Sequence, residues 1–313
     1  MRIAVFGAGA VGGYFGGRLA EAGEDVVFVA RGAHLTALRE RGLHVESVVG
    51  DFAVAPARCT DDPEEVGPAD LVLVGTKAWQ VTEAAPAMRP LIGPTTTVLP
   101  LQNGVEAPDQ LSAALGREHV LGGLCRIMSF LAEPGVIRHV GAEPVLTFGE
   151  LDGRETGRCR RLLGVFGSAR GMRAELVPDV QVELWRKLQM MAATSAVGTA
   201  AREPFGVLLR LPETRRLLMA CMDEVRAVAV ARGVLLPAAE ADRTMAFLDQ
   251  LPADGVTSLY RDMTAGRPSE LEAQLGAVVR LGVEVRVDTP VCGTLYATLL
   301  PAELKARGEL PGP

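Results

Sequence analysis

The chain has 313 residues with 38 acidic and 32 basic side chains, a formal net charge of −6, and 48% hydrophobic residues. That length exceeds the usual single domain and leads us to expect two. The basic residues are scattered among acidic ones, which argues against a nucleic-acid partner, and no apolar run approaches the roughly 18 residues needed to span a bilayer.

Short apolar runs alternate with helical patterns over the first 125 or so residues. "RIAVF", "DVVFVA", "ADLVLVG", "TTVLPLQ" and "HVLGGLC" read as buried strands. The rhythm predicts βαβ units and a parallel sheet. The N-terminal run is too rich in glycine, and breaks too early, to be a signal peptide.

"GAGAVG" follows the first strand and opens an amphipathic helix. Gly7, Gly9 and Gly12 therefore satisfy G-x-G-x-x-G in its required setting. The first glycine permits the tight turn, the second lets the backbone approach a pyrophosphate, and the third lets helix and strand pack closely. Gly7, Ala8, Gly9, Ala10, Val11 and Gly12 become the expected phosphate-binding segment, with helix N-terminal amides facing the anion. The second strand ends at Arg31 rather than at the carboxylate an NAD site would use for the ribose 2′-hydroxyl. A guanidinium there suits a 2′-phosphate, so NADP(H) is the expected cofactor.

Two further strand ends carry polar groups at the carboxyl edge of the expected sheet, where open α/β folds bind ligands. "VGTKAWQV" places Lys77 there and "LPLQNGV" places Asn103. Each also has a plainer account, as a loop lysine and as a turn dipeptide.

"EPGVIRHVGAEPVLTFG" (133–149) has β-type residues broken by Gly and Pro, as in a hairpin or short antiparallel extension, and "GMRAELVPDVQVELW" holds the last extended piece. From there the period becomes helical. "PETRRLLMACMDEVRAVAVARG" starts near Pro212 and ends at Gly233, and "PSELEAQLGAVVRLG" has Ser269 as a cap and Gly282 as a stop. The fold class expected is α/β: an N-terminal Rossmann-type doubly wound parallel sheet (1–175), followed by an all-helical C-terminal domain (176–313).

Among the 32 basic residues only Lys77, Lys187 and Lys305 are lysine. Lys187 lies in "ELWRKLQMMAATS", where spacing alone favours a surface charge paired with Glu183 one turn earlier, a contribution of a few tenths of a kcal/mol. The five cysteines are odd in number and lack C-x-x-C spacing, which reads as reduced, packed thiols in a cytoplasmic protein.

The glycine turn, Arg31, "TKAWQV", "QNGV", "ELWRKL" and "SLYRDMTAGRPSELE" together resemble the ketopantoate reductase (2-dehydropantoate 2-reductase) family along nearly the whole chain. The resemblance implies NADPH-dependent reduction of ketopantoate to pantoate, a step of pantothenate biosynthesis, by a homodimer. It also implies that Lys187 is the general acid and that Lys77 and Asn103 line the substrate and nicotinamide crevice. Ser258 would help hold the substrate carboxylate and Glu270 its hydroxyl, with Glu272 the neighbouring rival in register.

Chemistry agrees with a lysine at 187. Hydride addition to a ketone carbon builds negative charge on oxygen, which an ammonium both stabilises and protonates. Arginine supplies the charge but not the proton. Four and eight residues beyond Lys187 the family carries asparagines, whereas this chain has Met191 and Ser195. Both lie near the lysine's helix face, so the substrate pocket should differ there, and a bulkier or less polar 2-oxo acid competes with ketopantoate as the substrate. Two rival activities share the same motifs: a two-domain NADP-dependent hydroxyacid or opine-type dehydrogenase, and a non-catalytic NADP(H)-sensing module.

Overall fold

The structure is a computed structural model and describes residues 1–310. These fall into two compact units. One comprises Met1–Gln102 with Ala107–Val180; the other comprises Asn103–Glu106 with Gln181 onward.

The first unit contains ten strands in chain order: β1 (Arg2–Phe6), β2 (Asp25–Val29), β3 (Leu43–Ser47), β4 (Phe52–Val54), β5 (Cys59–Thr60), β6 (Leu71–Val74), β7 (Thr97–Pro100), β8 (Gly122–Glu133), β9 (Val136–Gly149) and β10 (Arg173–Leu176). Its main sheet has the order β5-β2-β1-β6-β7 and is parallel throughout. The chain moves from β1 to β2 on one side and later returns to β6 on the other. The carboxyl end of β1 is therefore a topological switch point, the usual place for a ligand in such a sheet.

Both faces of this sheet are covered, which explains why its strands read as continuous apolar runs. Ile3, Val5, Phe28, Leu71 and Leu73 belong to one buried cluster, while their strand neighbours Ala4, Phe6, Val27, Val29, Val72 and Val74 belong to a second. Alternate residues thus supply opposite cores, as the two-residue repeat of a strand requires.

A second sheet, of order β10-β9-β3-β4 with β8 paired to β9, was not expected. β8 and β9 form the antiparallel hairpin that the Gly/Pro-broken segment suggested, while β3 and β10 join β9 in parallel. The "HVLGGLC" run divides: Val120 makes a lone parallel bridge to Val98, and from Gly122 the chain belongs to the second sheet.

Helix α1 (Ala10–Glu21) lies between these two sheets, and its glycines make that possible. A Cβ on Gly12 or Gly16 would meet Val5 of the main sheet at 3.1 and 2.4 Å. A Cβ on Gly13 or Gly17 would meet Ile137 or Phe52 of the second sheet at 2.5 and 2.8 Å. Close packing on both sides leaves no room for a side chain.

The other helices of this unit are α2 (Gly32–Arg41), α3 (Pro63–Val66), α4 (Val81–Ala84), α5 (Ala107–Leu115) and α6 (Gly157–Ser168).

The second unit is helical: α7 (Val180–Ala201), α8 (Phe205–Arg210), α9 (Pro212–Ala231), α10 (Glu240–Leu248), α11 (Ser258–Thr264), α12 (Ala277–Val285) and α13 (Pro290–Ala306). Helix α9 buries Leu218, Cys221, Met222, Val225, Val228 and Ala229, a stripe at three- and four-residue steps. Pro212 opens it, and Gly233 at φ 86° closes it with a bond from Val234 N–H to the Ala229 carbonyl.

Gly282 does not stop α12 as expected. The helix continues to Val285 and ends where Arg286 adopts the left-handed conformation at φ 60°, with Val287 N–H returning to the Gly282 carbonyl at 2.9 Å. Gly282 instead permits that return, because a Cβ there would lie 2.9 Å from the Val287 carbonyl oxygen. A π-helical turn, Glu272–Gly276, precedes α12.

Candidate active site

The glycine turn stands at the switch point. Gly7 has φ 93°, and its N–H and that of Ala8 both donate to the Val29 carbonyl at the end of β2, at 3.0 and 3.3 Å. A Cβ on Gly12 would lie 2.3 Å from the Gly7 carbonyl oxygen, and one on Gly7 would lie 2.7 Å from the Thr76 nitrogen. At Gly9, by contrast, an added Cβ meets nothing within 4 Å.

Two of the three glycines are thus required by the fold, and the middle one borders open space. Gly9 caps α1, and the first turn of α1 carries no acidic side chain. The amides of Ala10, Val11 and Gly12 have no partner within the helix geometry and present the positive end of its dipole. These residues fit the pyrophosphate of a dinucleotide. Arg31, exposed, is the N-cap of α2 just beyond β2.

Two residues of this turn carried no expectation from the sequence. Gly75, at the end of β6, is as confined as Gly12: its Cβ would lie 2.6 Å from the Gly7 oxygen and 2.8 Å from Gly12 Cα. Gln102, buried just past β7, donates from Nε2 to the carbonyls of Val74 and Thr76 at 2.8 and 3.0 Å. It ties the β6 and β7 ends together immediately before Asn103. A glycine directly after "LVLV" was the available signal for the first, and the place of Gln102 at the head of "QNGV" was the signal for the second.

His34, in the first turn of α2, braces the same turn. Its Nδ1 accepts from Gly135 N–H at 3.0 Å and its Nε2 lies 2.8 Å from the Ala8 carbonyl. Accepting at Nδ1 leaves Nε2 as the donor, which is the neutral tautomer. Burial accordingly holds the His34 pKa below its ordinary value, against the opposing pull of the Ala8 carbonyl.

Lys77 is exposed at the start of the short helical turn Ala78–Gln80, with its Nζ 5.7 Å from the Trp79 ring centroid, within cation–π range.

In the second unit Asn103 and Glu270 meet. Asn103 Nδ2 donates to Glu270 Oε2 at 2.7 Å, and Glu270 is 8% exposed. Gly104, at φ 95°, makes the turn that allows this, since a Cβ there would lie 2.6 Å from the Ala273 carbonyl oxygen. The turn-dipeptide account of Asn103-Gly104 therefore holds, and the same turn directs the Asn103 amide to Glu270. Glu272, the rival to Glu270, is engaged elsewhere: it pairs with Arg280 and accepts from Tyr296 Oη at 2.5 Å.

Ser269 acts as the expected cap, its Oγ accepting from Leu271 N–H at 3.2 Å. Ser258 is half-buried at the first position of α11, where Thr257 is the capping residue and accepts from Tyr260 N–H.

Lys187 is half-buried on α7. Glu183, its suggested surface partner, forms an ion pair with Arg186, which also reaches Glu240 at 2.8 Å. Met191 is half-buried one turn on from Lys187. Ser195 is 1% exposed, and its hydroxyl has no hydrogen-bond partner among the described residues. Neither amide atom of Gln274, one turn beyond Glu270, has one either. Buried polar atoms normally find partners, and these two side chains have none among the described residues.

Two family models match most of the chain. "Ketopantoate reductase PanE/ApbA" matches residues 3–153, and "Ketopantoate reductase PanE/ApbA C terminal" matches residues 179–303. The chain belongs to the ketopantoate reductase family.

A 2-dehydropantoate 2-reductase of Archaeoglobus fulgidus is 33% identical over 294 residues, 94% of this chain and 95% of the relative. "Uncharacterized oxidoreductase YkpB" of Bacillus subtilis is 31% identical over 301 residues, covering 96% and 98%. Among solved structures, a PanE/ApbA family ketopantoate reductase from Ralstonia eutropha JMP134 superposes with a TM-score of 0.89 at 33% identity, covering 98% of this chain and all of that one. The protein is therefore an oxidoreductase acting on a CH–OH group, of a family that reduces 2-oxo acids with a nicotinamide cofactor. No helix among the described residues is long and apolar enough to cross a membrane.

Proposed function

We propose that this member reduces 2-dehydropantoate to pantoate with NADPH, with Lys187 as the general acid. The observation that supports the reading best is the Asn103–Glu270 pair, a buried carboxylate oriented at 2.7 Å by an amide, which is the kind of group that binds a substrate hydroxyl. Residues 1–175 form the cofactor domain in this reading, and residues 176–313 the substrate and dimerisation domain.

When bound, NADPH supplies hydride to C2 of the 2-oxo acid. The residues from Gly7 to Gly12 hold its pyrophosphate through their amides, and Arg31 holds its 2′-phosphate. Lys77 and Asn103 border both nicotinamide and substrate. Ser258 binds the substrate carboxylate and Glu270 its hydroxyl. The Lys187 ammonium stabilises the charge that develops on the C2 oxygen and delivers the proton that completes the hydroxyl. The five free cysteines, four of them buried, suit a reducing compartment, which we take to be the cytoplasm, and we expect a homodimer.

Met191 and the unpartnered Ser195 hydroxyl favour a second reading of the substrate alone, a bulkier or less polar 2-oxo acid. Loss of one polar group from a hydrogen-bonding pocket can change which ligand it prefers. NADPH oxidation measured against a panel of 2-oxo acids, ketopantoate included, separates these readings. Ketopantoate should give the highest kcat/KM. A higher value with a larger apolar acid would install the second reading, and tight NADPH binding with no turnover of any acid would reduce the protein to a cofactor sensor.

A further inference from the structure

Glu303, on α13, is a carboxylate 3% exposed that the reaction as proposed does not use. Ser269 N–H donates to both of its oxygens at 3.0 Å, and Ser269 Oγ donates to Oε2 at 2.5 Å. Arg307, one turn further along the chain, donates from Nε to Glu303 Oε1 at 2.7 Å and from Nη2 to the Ser269 carbonyl at 2.9 Å. Every polar group of Ser269, itself fully buried, is thus engaged by two residues of one helical face.

The arrangement reaches past Ser269. With its proton committed to Glu303, the hydroxyl has a lone pair directed at Leu271 N–H, 3.2 Å away. Main-chain groups on both sides of Glu270 are therefore fixed, the N–H and carbonyl of Ser269 before it and the N–H of Leu271 after it. The Glu270 side chain extends from that pinned segment to Asn103.

Burying a carboxylate carries a desolvation penalty that its partners must offset, and an apolar side chain of similar size would fill the space without one. A turn that needed only to be packed would not require one.

We propose that Glu303, with Arg307, is a positioning residue for Glu270: it sets the backbone that aims the Glu270 carboxylate at the substrate hydroxyl. The proposal rests on the substrate role given to Glu270 above. It makes Glu303 a determinant of selectivity for hydroxyl-bearing 2-oxo acids, acting without contact with the substrate.

The test compares two acids that differ only in that hydroxyl, ketopantoate and 3,3-dimethyl-2-oxobutanoate, in the wild-type enzyme and in Glu303→Gln. The amide preserves the shape but presents an N–H to groups that are themselves donors. Displacement of a binding group by about 1 Å can cost about 100-fold. We therefore expect Glu303→Gln to lower kcat/KM for ketopantoate by about 10- to 100-fold, with a much smaller loss for the acid lacking the hydroxyl and an unchanged KM for NADPH. The preference between the two acids should collapse.

Ser269→Ala, which removes the hydroxyl but keeps the backbone N–H, should move the same ratio in the same direction by a smaller factor, and it serves as the test if Glu303→Gln does not fold. A folded variant, by circular dichroism and cooperative melting, that loses activity on both acids equally or keeps the wild-type preference would overturn the positioning role. A wild-type enzyme that turns over both acids with no preference would instead overturn the role of Glu270, and failure to reduce either acid would count against the functional reading itself.

Discussion

The glycine turn of the first unit and the Asn103–Glu270 pair of the second are built in opposite ways. The turn is made of backbone, and what matters there is the absence of side chains: Gly7, Gly12 and Gly75 are held within 3 Å of neighbouring main-chain atoms by the measure of an added Cβ. The pair is made of side chains drawn from positions 167 residues apart, and its precision comes from hydrogen bonds. A backbone site tolerates almost any surrounding sequence but no bulk at its contact points. A side-chain site tolerates bulk nearby but depends on the chemical identity of each member.

The largest effect that would break this contrast concerns the glycines. Gly75→Ala forces a Cβ against the Gly7 carbonyl and Gly12, and should destabilise the protein by about 1–3 kcal/mol as overpacking does. Gly9→Ala places its Cβ in open space, so its stability should stay within about 0.5 kcal/mol of wild type while NADPH binding weakens. Denaturant unfolding and cofactor titration of both variants check the pair. Equal destabilisation would show that Gly9 serves the fold and not the ligand.

A smaller effect sharpens the cofactor assignment. Charge-assisted hydrogen bonds are worth roughly 1.5–3 kcal/mol, so Arg31→Ala should reduce the preference for NADPH over NADH by about 10- to 100-fold. The ratio of kcat/KM for the two cofactors measures it, and an unchanged ratio would remove Arg31 from the 2′-phosphate site.

The smallest involves His34. Its pKa is lowered in the folded state, so the folded protein favours the neutral ring. That contribution is complete above the ordinary value of about 6.5 and is lost as pH falls through the lower folded value. His139 is shifted the same way, chiefly by burial, and acts in the same direction. His34→Gln should therefore remove part of the stability lost between neutral and mildly acid pH. Melting curves at several pH values would show this, and an acid loss identical to wild type would mean that His34 does not titrate with folding.

The same contrast explains what the sequence could reveal. The parallel sheet was readable because strands buried on both faces leave long apolar runs, and the glycine turn because only glycine tolerates its contacts. The second sheet was not foreseen because β3 and β4 bury one face only: Leu43 and Val45 are buried and His44 is exposed, which leaves no continuous apolar run of the kind that marked the main sheet. In the second unit, helices were evident from their period, but period does not reveal which polar residues meet. Asn103 stood out from its place at a strand's carboxyl edge as well as through the family motifs, and Glu270 through the motifs alone. Glu303 had no such mark, since a glutamate four residues before an arginine near a chain end reads as an ordinary surface pair.

Lys187 remains the centre of the account, because proton donation explains a lysine where the chain otherwise uses arginine. The direct measurement is kcat with NADPH and the preferred 2-oxo acid for Lys187→Ala and Lys187→Arg. General acid catalysis contributes about 100-fold or more, so the alanine variant should fall by at least that factor. The arginine variant, which keeps the charge but cannot readily release a proton, should recover little of the loss. Wild-type kcat in either variant would contradict the proton-donor role.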